Sequence, residues 1–200
     1  MTEVRAGQLL ASALHEAIQE ELPQRLDFYE HWLSGERLPD RRGNLAQMTA
    51  VLGFLRTEGA AYGRVMARAG RLAAGWTVEG LTPWRRHVIE RLPPPLRARV
   101  VLRMAAGLVR SVHGASRMSR RVRGRQAELS VTDSLFCAVR EAPRAPLCGF
   151  YLAAILELLT RFGVTAGGRL AGCRAIDGTR CIIMLDWSGT EEAPVPAVAA

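Results

Sequence analysis

All 27 basic residues of this 200-residue chain are arginine, and lysine is absent. That absence removes two chemistries. Pyridoxal-phosphate catalysis needs a Schiff-base lysine and the phosphate loop needs a GK[ST] step, so neither is available. No G-x-G-x-x-G follows a predicted strand and no cysteine spacing suits an iron–sulfur cluster, so no site for a hydride or electron donor is visible. Long hydrophobic runs are missing too. Glu157 interrupts the best one, below the roughly 18 uncharged residues that a spanning helix needs. The opening MTEVRAGQLLASALHEAIQEEL lacks the basic-then-apolar order of a secretory signal, so a cytoplasmic location is expected.

What is present suits one globular unit. A hydrophobic content of 48% can bury one sizeable core at this length, and a single domain over 1–187 is expected. Within it, residues 1–125 read as mainly helical and residues 126–187 as strand, helix and hairpin. Residues 188–200, polar and proline-bearing without periodicity, read as a disordered tail. The net charge of +8 comes with arginine and alanine enrichment of the kind genomic base composition produces. It is therefore weak evidence for nucleic acid, and no such partner is expected.

The periodicities place the elements. Leu10, Leu14, Ile18 and Leu22 recur every fourth residue and predict a helix over 7–22, closed by Pro23. Residues 27–42 read as a short helix and a loop. Asn44 suits the cap of a helix carrying Leu45, Met48, Leu52 and Leu55. Over 58–75, Gly59, Gly63, Gly70 and Gly75 among alanines give any helix a small face for close packing. Pro83 opens a helix with Trp84, Val88 and Leu92 on one side, stopped by Pro93-Pro94-Pro95. Another spans 96–112 with Val100, Met104, Leu108 and Val112 inward, and ends at His113, where an imidazole suits the helix dipole.

The run RMSRRVRGR, 117–125, holds five arginines and reads as a solvated loop or strand edge without the interleaved aromatics that single-strand binding favours. Ala127, Leu129 and Val131 then alternate as a strand. Helices first, then a strand, a helix and a hairpin, argue for an α+β fold in which an antiparallel sheet packs against helices.

The four cysteines, Cys137, Cys148, Cys173 and Cys181, all lie in the C-terminal third. In a reducing compartment such a cluster points to metal or reactivity rather than to disulfides. A helix with Leu152, Ile155, Leu156 and Leu159 on one face follows Cys148, and a hairpin carries Cys173 and Cys181. Strand side chains have period two, so the loop length decides whether those two meet. A two-residue turn at Asp177-Gly178 sets them on opposite faces. A three-residue loop, Ile176-Asp177-Gly178 with a left-handed Gly178, sets them across from each other, and this register is expected. Thiolates in tetrahedral geometry favour zinc; three buried cysteines acting as small hydrophobes are the plainer alternative.

Residues 129–187 resemble the 4-vinyl-reductase domain family, whose pattern is similar to the DSLF at 133–136, the LCGFYLAAI at 147–155 and the C-x-A-x-x-G-x-x-C from Cys173 to Cys181. The resemblance extends less specifically upstream through LPPPLRARVVLRMAAGLVRSVHGAS. It implies a fold similar to TRAPP-complex subunits, often homodimeric, binding small hydrophobic molecules. Members that serve as sensor domains of phenol-responsive regulators hold a structural zinc with a loop cysteine, a glutamate and the C-x7-C pair. By position these ligands are Cys148, Cys173 and Cys181, while the glutamate falls on Leu170. Either Cys137, Asp177, a water or a substrate then completes the zinc site, or the metal has been lost.

The resemblance further implies a role in bacteriochlorophyll biosynthesis within photosynthesis. Lacking a site for a reductant, the chain is expected to bind a tetrapyrrole intermediate as a carrier rather than act as an enzyme. The alternatives are a vinyl reductase proper, or an aromatic-ligand sensor or interaction module of the same fold. The expected ligand-binding residues are Arg110, His113, Phe136, Phe150 and Tyr151, with Arg110 as an anchor for propionates.

Overall fold

The structure, a computed structural model, describes residues 6–33, 41–139 and 142–187. Six helices come first: α1 Ala6–Glu21, α2 Leu26–Leu33, α3 Arg41–Thr57, α4 Ala60–Glu79, α5 Pro83–Arg91 and α6 Pro94–Val112. The strands β1 Arg117–Arg123 and β2 Gln126–Thr132 follow, then α7 Gly149–Arg161, β3 Gly167–Gly172, the single turn α8 Arg174–Asp177 and β4 Cys181–Asp186. The expected α+β fold with its helical N-terminal half is what forms.

The sheet is antiparallel throughout, in the order β1-β2-β4-β3. Ala127, Leu129 and Val131 of β2 and Cys181, Ile183 and Leu185 of β4 are buried on the face that meets the helices. Alternation along a strand puts Glu128, Ile182 and Met184 on the other face, as expected of an antiparallel sheet covered on one side. Helix α6 packs on β1 and α7 on β3, α4 lies against α7, and α1 covers α4. Helix α4 is therefore deep in the helical layer, with Val65, Met66, Ala69, Ala73 and Ala74 fully buried.

The small face expected over 58–75 does allow close packing at Gly70. A Cβ there would lie 2.4 Å from the Phe150 carbonyl oxygen and 3.0 Å from the Ala154 nitrogen, both backbone atoms of α7. Only glycine lets the two helix axes come this near.

Several local expectations are corrected. Asn44 does not cap α3, which begins at Arg41. On α5 the expected apolar side is not the buried one: Trp84 is 72% and Val88 40% exposed, and Ile89 is the buried residue. The inner side of α6 is rotated from the expected stripe. Ala98, Val101, Leu102, Ala105 and Val109 are buried with Leu108 and Val112, while Val100 and Met104 are half-buried. On α7, Leu152 and Leu156 are half-buried, whereas Phe150, Tyr151, Ala154 and Leu158 join Ile155 and Leu159 in the core. An i, i+4 stripe gives the period of burial but not its phase, which is set by neighbours placed later. The strand over 127–131 is one arm of a hairpin, because the arginine run supplies β1 as its partner. The tail expected at 188–200 lies outside the described residues.

The β3–β4 connection also differs from both turns considered for it. Gly172 pairs with Ile182 after an irregularity at Ala171, and the chain then leaves the sheet at Cys173 to form α8 before re-entering at Cys181. Gly178 does adopt the left-handed conformation, φ +87°, where it closes α8. A helical turn replaces the three-residue loop because the Ile176 N–H reaches the Cys173 carbonyl at 2.8 Å and the Gly178 N–H reaches that of Arg174 at 3.0 Å.

Gly70→Ala is expected to destabilise the protein by about 1–3 kcal/mol through forced separation of α4 and α7. Gly63→Ala, with nothing within 4 Å of the added carbon, is expected to be neutral or to stabilise by up to about 1 kcal/mol. Urea unfolding of both variants measures the contrast.

Candidate metal centre

Four separate pieces of backbone end at one place. Cys137 closes a 3-10 turn, Leu135–Cys137, just after β2. That turn follows Asp133, whose φ of +52° redirects the chain out of the strand. Cys148 immediately precedes α7, Cys173 immediately precedes α8, and Cys181 is the first residue of β4. Cys148 therefore sits at the N-terminus of α7.

The four sulfurs lie within 4.8 Å of one another and all four residues are buried. Cys137 Sγ is 3.1 Å from that of Cys148, 3.5 Å from that of Cys173 and 3.4 Å from that of Cys181. Cys148 Sγ is 4.0 Å from Cys173 and 2.6 Å from Cys181. None of the four is joined in a disulfide. A tetrahedral ion with bonds of about 2.3 Å to sulfur has edges of about 3.8 Å. The cluster is thus of a size to hold one mononuclear ion.

Without a cation the thiols share their protons. Hydrogen bonding from Cys148, then Cys181, holds the Cys137 sulfur well below the usual thiol range, and its contact with Cys137 pushes Cys148 far up. Cys173 is held down, first by Cys148, and also accepts the Leu147 N–H at 3.4 Å. Cys181 is pushed up, chiefly by Cys137.

Cys148, Cys173 and Cys181 are therefore brought together, and Cys137 joins them. Leu170 is half-buried on β3, paired with Ile183 and packed against the core. The side chain of Asp177 lies outside the described residues. The sequence gives no signal for two further residues that hold the loops. Arg56 Nη2 on α3 donates to the Phe136 carbonyl at 2.9 Å, across 80 positions. Tyr62 on α4 donates its hydroxyl to the Leu147 carbonyl at 3.1 Å, across 85. Each grips the peptide just before a cysteine. Burial pushes the Tyr62 hydroxyl up, keeping it a donor.

An aromatic group adjoins the cysteines. Phe136, Phe150 and Tyr151 are fully buried, with ring centroids 5.0 to 5.8 Å apart. Burial also pushes the Tyr151 hydroxyl up, and the nearby Ser116 and Ser134 hydroxyls oppose this. Neither is at bonding geometry, so the Tyr151 oxygen has no partner. Ser116 instead donates to the Asp133 carbonyl at 2.7 Å. His113 Nδ1 lies 3.0 Å from that same oxygen and 3.2 Å from Ser116 Oγ. Arg110 is exposed on α6, whereas the three rings are buried.

No family model and no curated protein matches this chain. Solved structures do. The H-NOX protein from K. algicida in its unliganded Fe(II) state is similar with a TM-score of 0.59 at 9% identity, over 94% of this chain and 99% of that one. An H-NOX protein from S. oneidensis in the Fe(II)NO state gives 0.53 at 9% identity, over 91% and 99%. The phenol-responsive sensory domain of the transcription activator PoxR, solved with phenol, gives 0.54 at 16% identity, over 72% and 74%. These likenesses correct the expected relationship: the neighbours are H-NOX and PoxR sensory domains, not 4-vinyl reductases or TRAPP subunits. The placement in bacteriochlorophyll biosynthesis and photosynthesis falls with it. The short cysteine-bearing pattern follows from the geometry of a strand, helix and hairpin, and geometry does not specify a pathway.

Haem, named for the H-NOX family, does not fit the residues present. His31 and His87 are exposed, and His15 and His113 are half-exposed, so no histidine is buried to meet iron from within. The buried thiols are engaged with one another.

Tyr62→Phe is expected to leave the buried Leu147 carbonyl unpaired and to cost about 1–3 kcal/mol of stability, read by chemical unfolding.

Proposed function

We propose that this chain is a small-molecule sensor domain that takes a small hydroxyl-bearing aromatic ligand beside a structural zinc held by Cys137, Cys148, Cys173 and Cys181. The observation that carries the ligand reading is the Tyr151 hydroxyl, fully buried, unpartnered and set against Phe136 and Phe150. A buried hydroxyl without a partner is costly, and a ligand hydroxyl between aromatic rings relieves that cost. The PoxR likeness, to a domain solved with phenol, supports the same reading. Together these favour a sensor over a tetrapyrrole carrier, because the expected propionate anchor, Arg110, is exposed while the aromatic group is fully buried. Zinc is supported by four soft ligands in a closed set of tetrahedral size, with Cys137 in place of the carboxylate that Leu170 cannot supply. A homodimer is included in the proposal, and sedimentation velocity measures it. Among the described residues no helix is long and apolar enough to cross a membrane.

Calorimetry with phenol and with benzene tests the ligand. Phenol is expected to bind better, and Tyr151→Phe to erase that preference, a loss of about fivefold or more in phenol affinity. The same variant, unliganded, is expected to be more stable by about 1 kcal/mol, because it removes the orphaned hydroxyl. Absence of phenol binding to the unaltered chain sinks the ligand reading. For the metal, elemental analysis is expected to find a single zinc ion per chain, largely lost in Cys137→Ala. An unaltered zinc content in that variant removes Cys137 from the ligand set.

A further inference from the structure

The outer edge of β1 presents cations without anions. Arg120, Arg121 and Arg123 on the strand and Arg125 in the following turn are exposed, and none makes a side-chain hydrogen bond or ion pair among the described residues. Several arginines on the helices are paired instead. Arg64 meets Glu21 at 3.1 Å, Arg86 meets Glu90 at 3.0 Å, Arg161 meets Glu157 at 2.8 Å, and Arg68 also grips Glu20. Even Glu128, directly across from Arg121 on β2, forms no ion pair with it.

These arginines straddle a strand whose far side has no strand partner among the described residues, since β1 ends the sheet they form. Alternation puts Arg121 and Arg123 on the face away from the helices and Arg120 on the row of Leu129 and Ile183. Every second residue of an edge strand also turns its N–H and C=O outward. Backbone donors and acceptors thus alternate along a rim that carries positive charge on both faces.

We propose that the β1 edge is a docking strand for an extended, acidic segment of a partner protein, added antiparallel or parallel to the sheet. Charge complementarity selects this occupant. A second copy pairing β1 with β1 would set arginine against arginine, which is destabilising. A nucleic acid offers phosphates, which answer the guanidinium groups but meet the outward carbonyls with like charge. An acidic peptide answers the arginines with its side chains and the carbonyls with its own N–H groups. A membrane would need apolar side chains on the rim, and Met118 and Val122 pack inward against the core. This inference is independent of the ligand and metal readings.

Fluorescence anisotropy of the full chain with a labelled peptide of alternating threonine and glutamate tests it. Binding is expected, and it is expected to weaken by about tenfold in the triple variant Arg120→Gln, Arg121→Gln, Arg123→Gln, since several modest surface pairs are lost together. Circular dichroism verifies that the variant folds. A peptide of the same charge with proline at alternate threonines keeps the carboxylates but loses backbone pairing, and is expected to bind several-fold more weakly. Equal binding of the proline peptide, or of a threonine–lysine peptide, overturns strand addition. Tighter binding of a short DNA duplex, or of phosphatidylglycerol vesicles, overturns the choice of partner.

Discussion

Four cysteine sulfurs within 4.8 Å of one another, all buried, form a group that cannot ionise fully without outside help. Thiolates at such separations repel strongly where the surroundings are apolar. The cluster therefore either shares its protons among sulfurs or surrenders them to a cation. In either state it joins the end of β2, the start of α7 and both ends of the β3–β4 connection. These are the points at which the chain passes between sheet and helices, so the sulfur cluster ties the two layers together.

The helical layer is arranged around the same junction. Arg56 and Tyr62, from α3 and α4, hold the peptides that precede Cys137 and Cys148. Gly70 then brings α4 against α7 within backbone contact. Phe136, Phe150 and Tyr151 fill the space beside the cysteines, and the Tyr151 hydroxyl is left with no partner. A core that places a polar atom in an apolar wall departs from the usual rule that buried hydroxyls are bonded. Such departures concentrate at functional sites.

Charge is distributed with equal asymmetry. Arg64 and Arg68 on α4, Arg86 on α5 and Arg161 on α7 meet glutamates on their own or a neighbouring helix. Those of β1 and its turn do not. An edge strand bearing unpaired cations resists pairing with itself, and the same device leaves it open to a partner of opposite sign.

Much of the fold was legible in the sequence because local rules govern it. The four-residue spacing of Leu10, Leu14, Ile18 and Leu22, the proline that opens α5, the alternation from Ala127 to Val131 and the left-handed Gly178 each depend on residues a few positions away. Cys148, Cys173 and Cys181 stood out as metal ligands through resemblance, and the sequence kept Cys137 among several possible fourth ligands. It did not reveal Arg56 or Tyr62, whose partners lie 80 and 85 positions off, nor the phase of burial on α5, α6 and α7. Composition and periodicity thus determined the α+β class, the helical N-terminal half and the chemistry available to the site. Tertiary structure decided which sulfur joins the cluster, which hydroxyl is stranded and which strand edge stays open. Those outcomes depend on contacts between elements far apart in the chain, and local spacing carries no information about them.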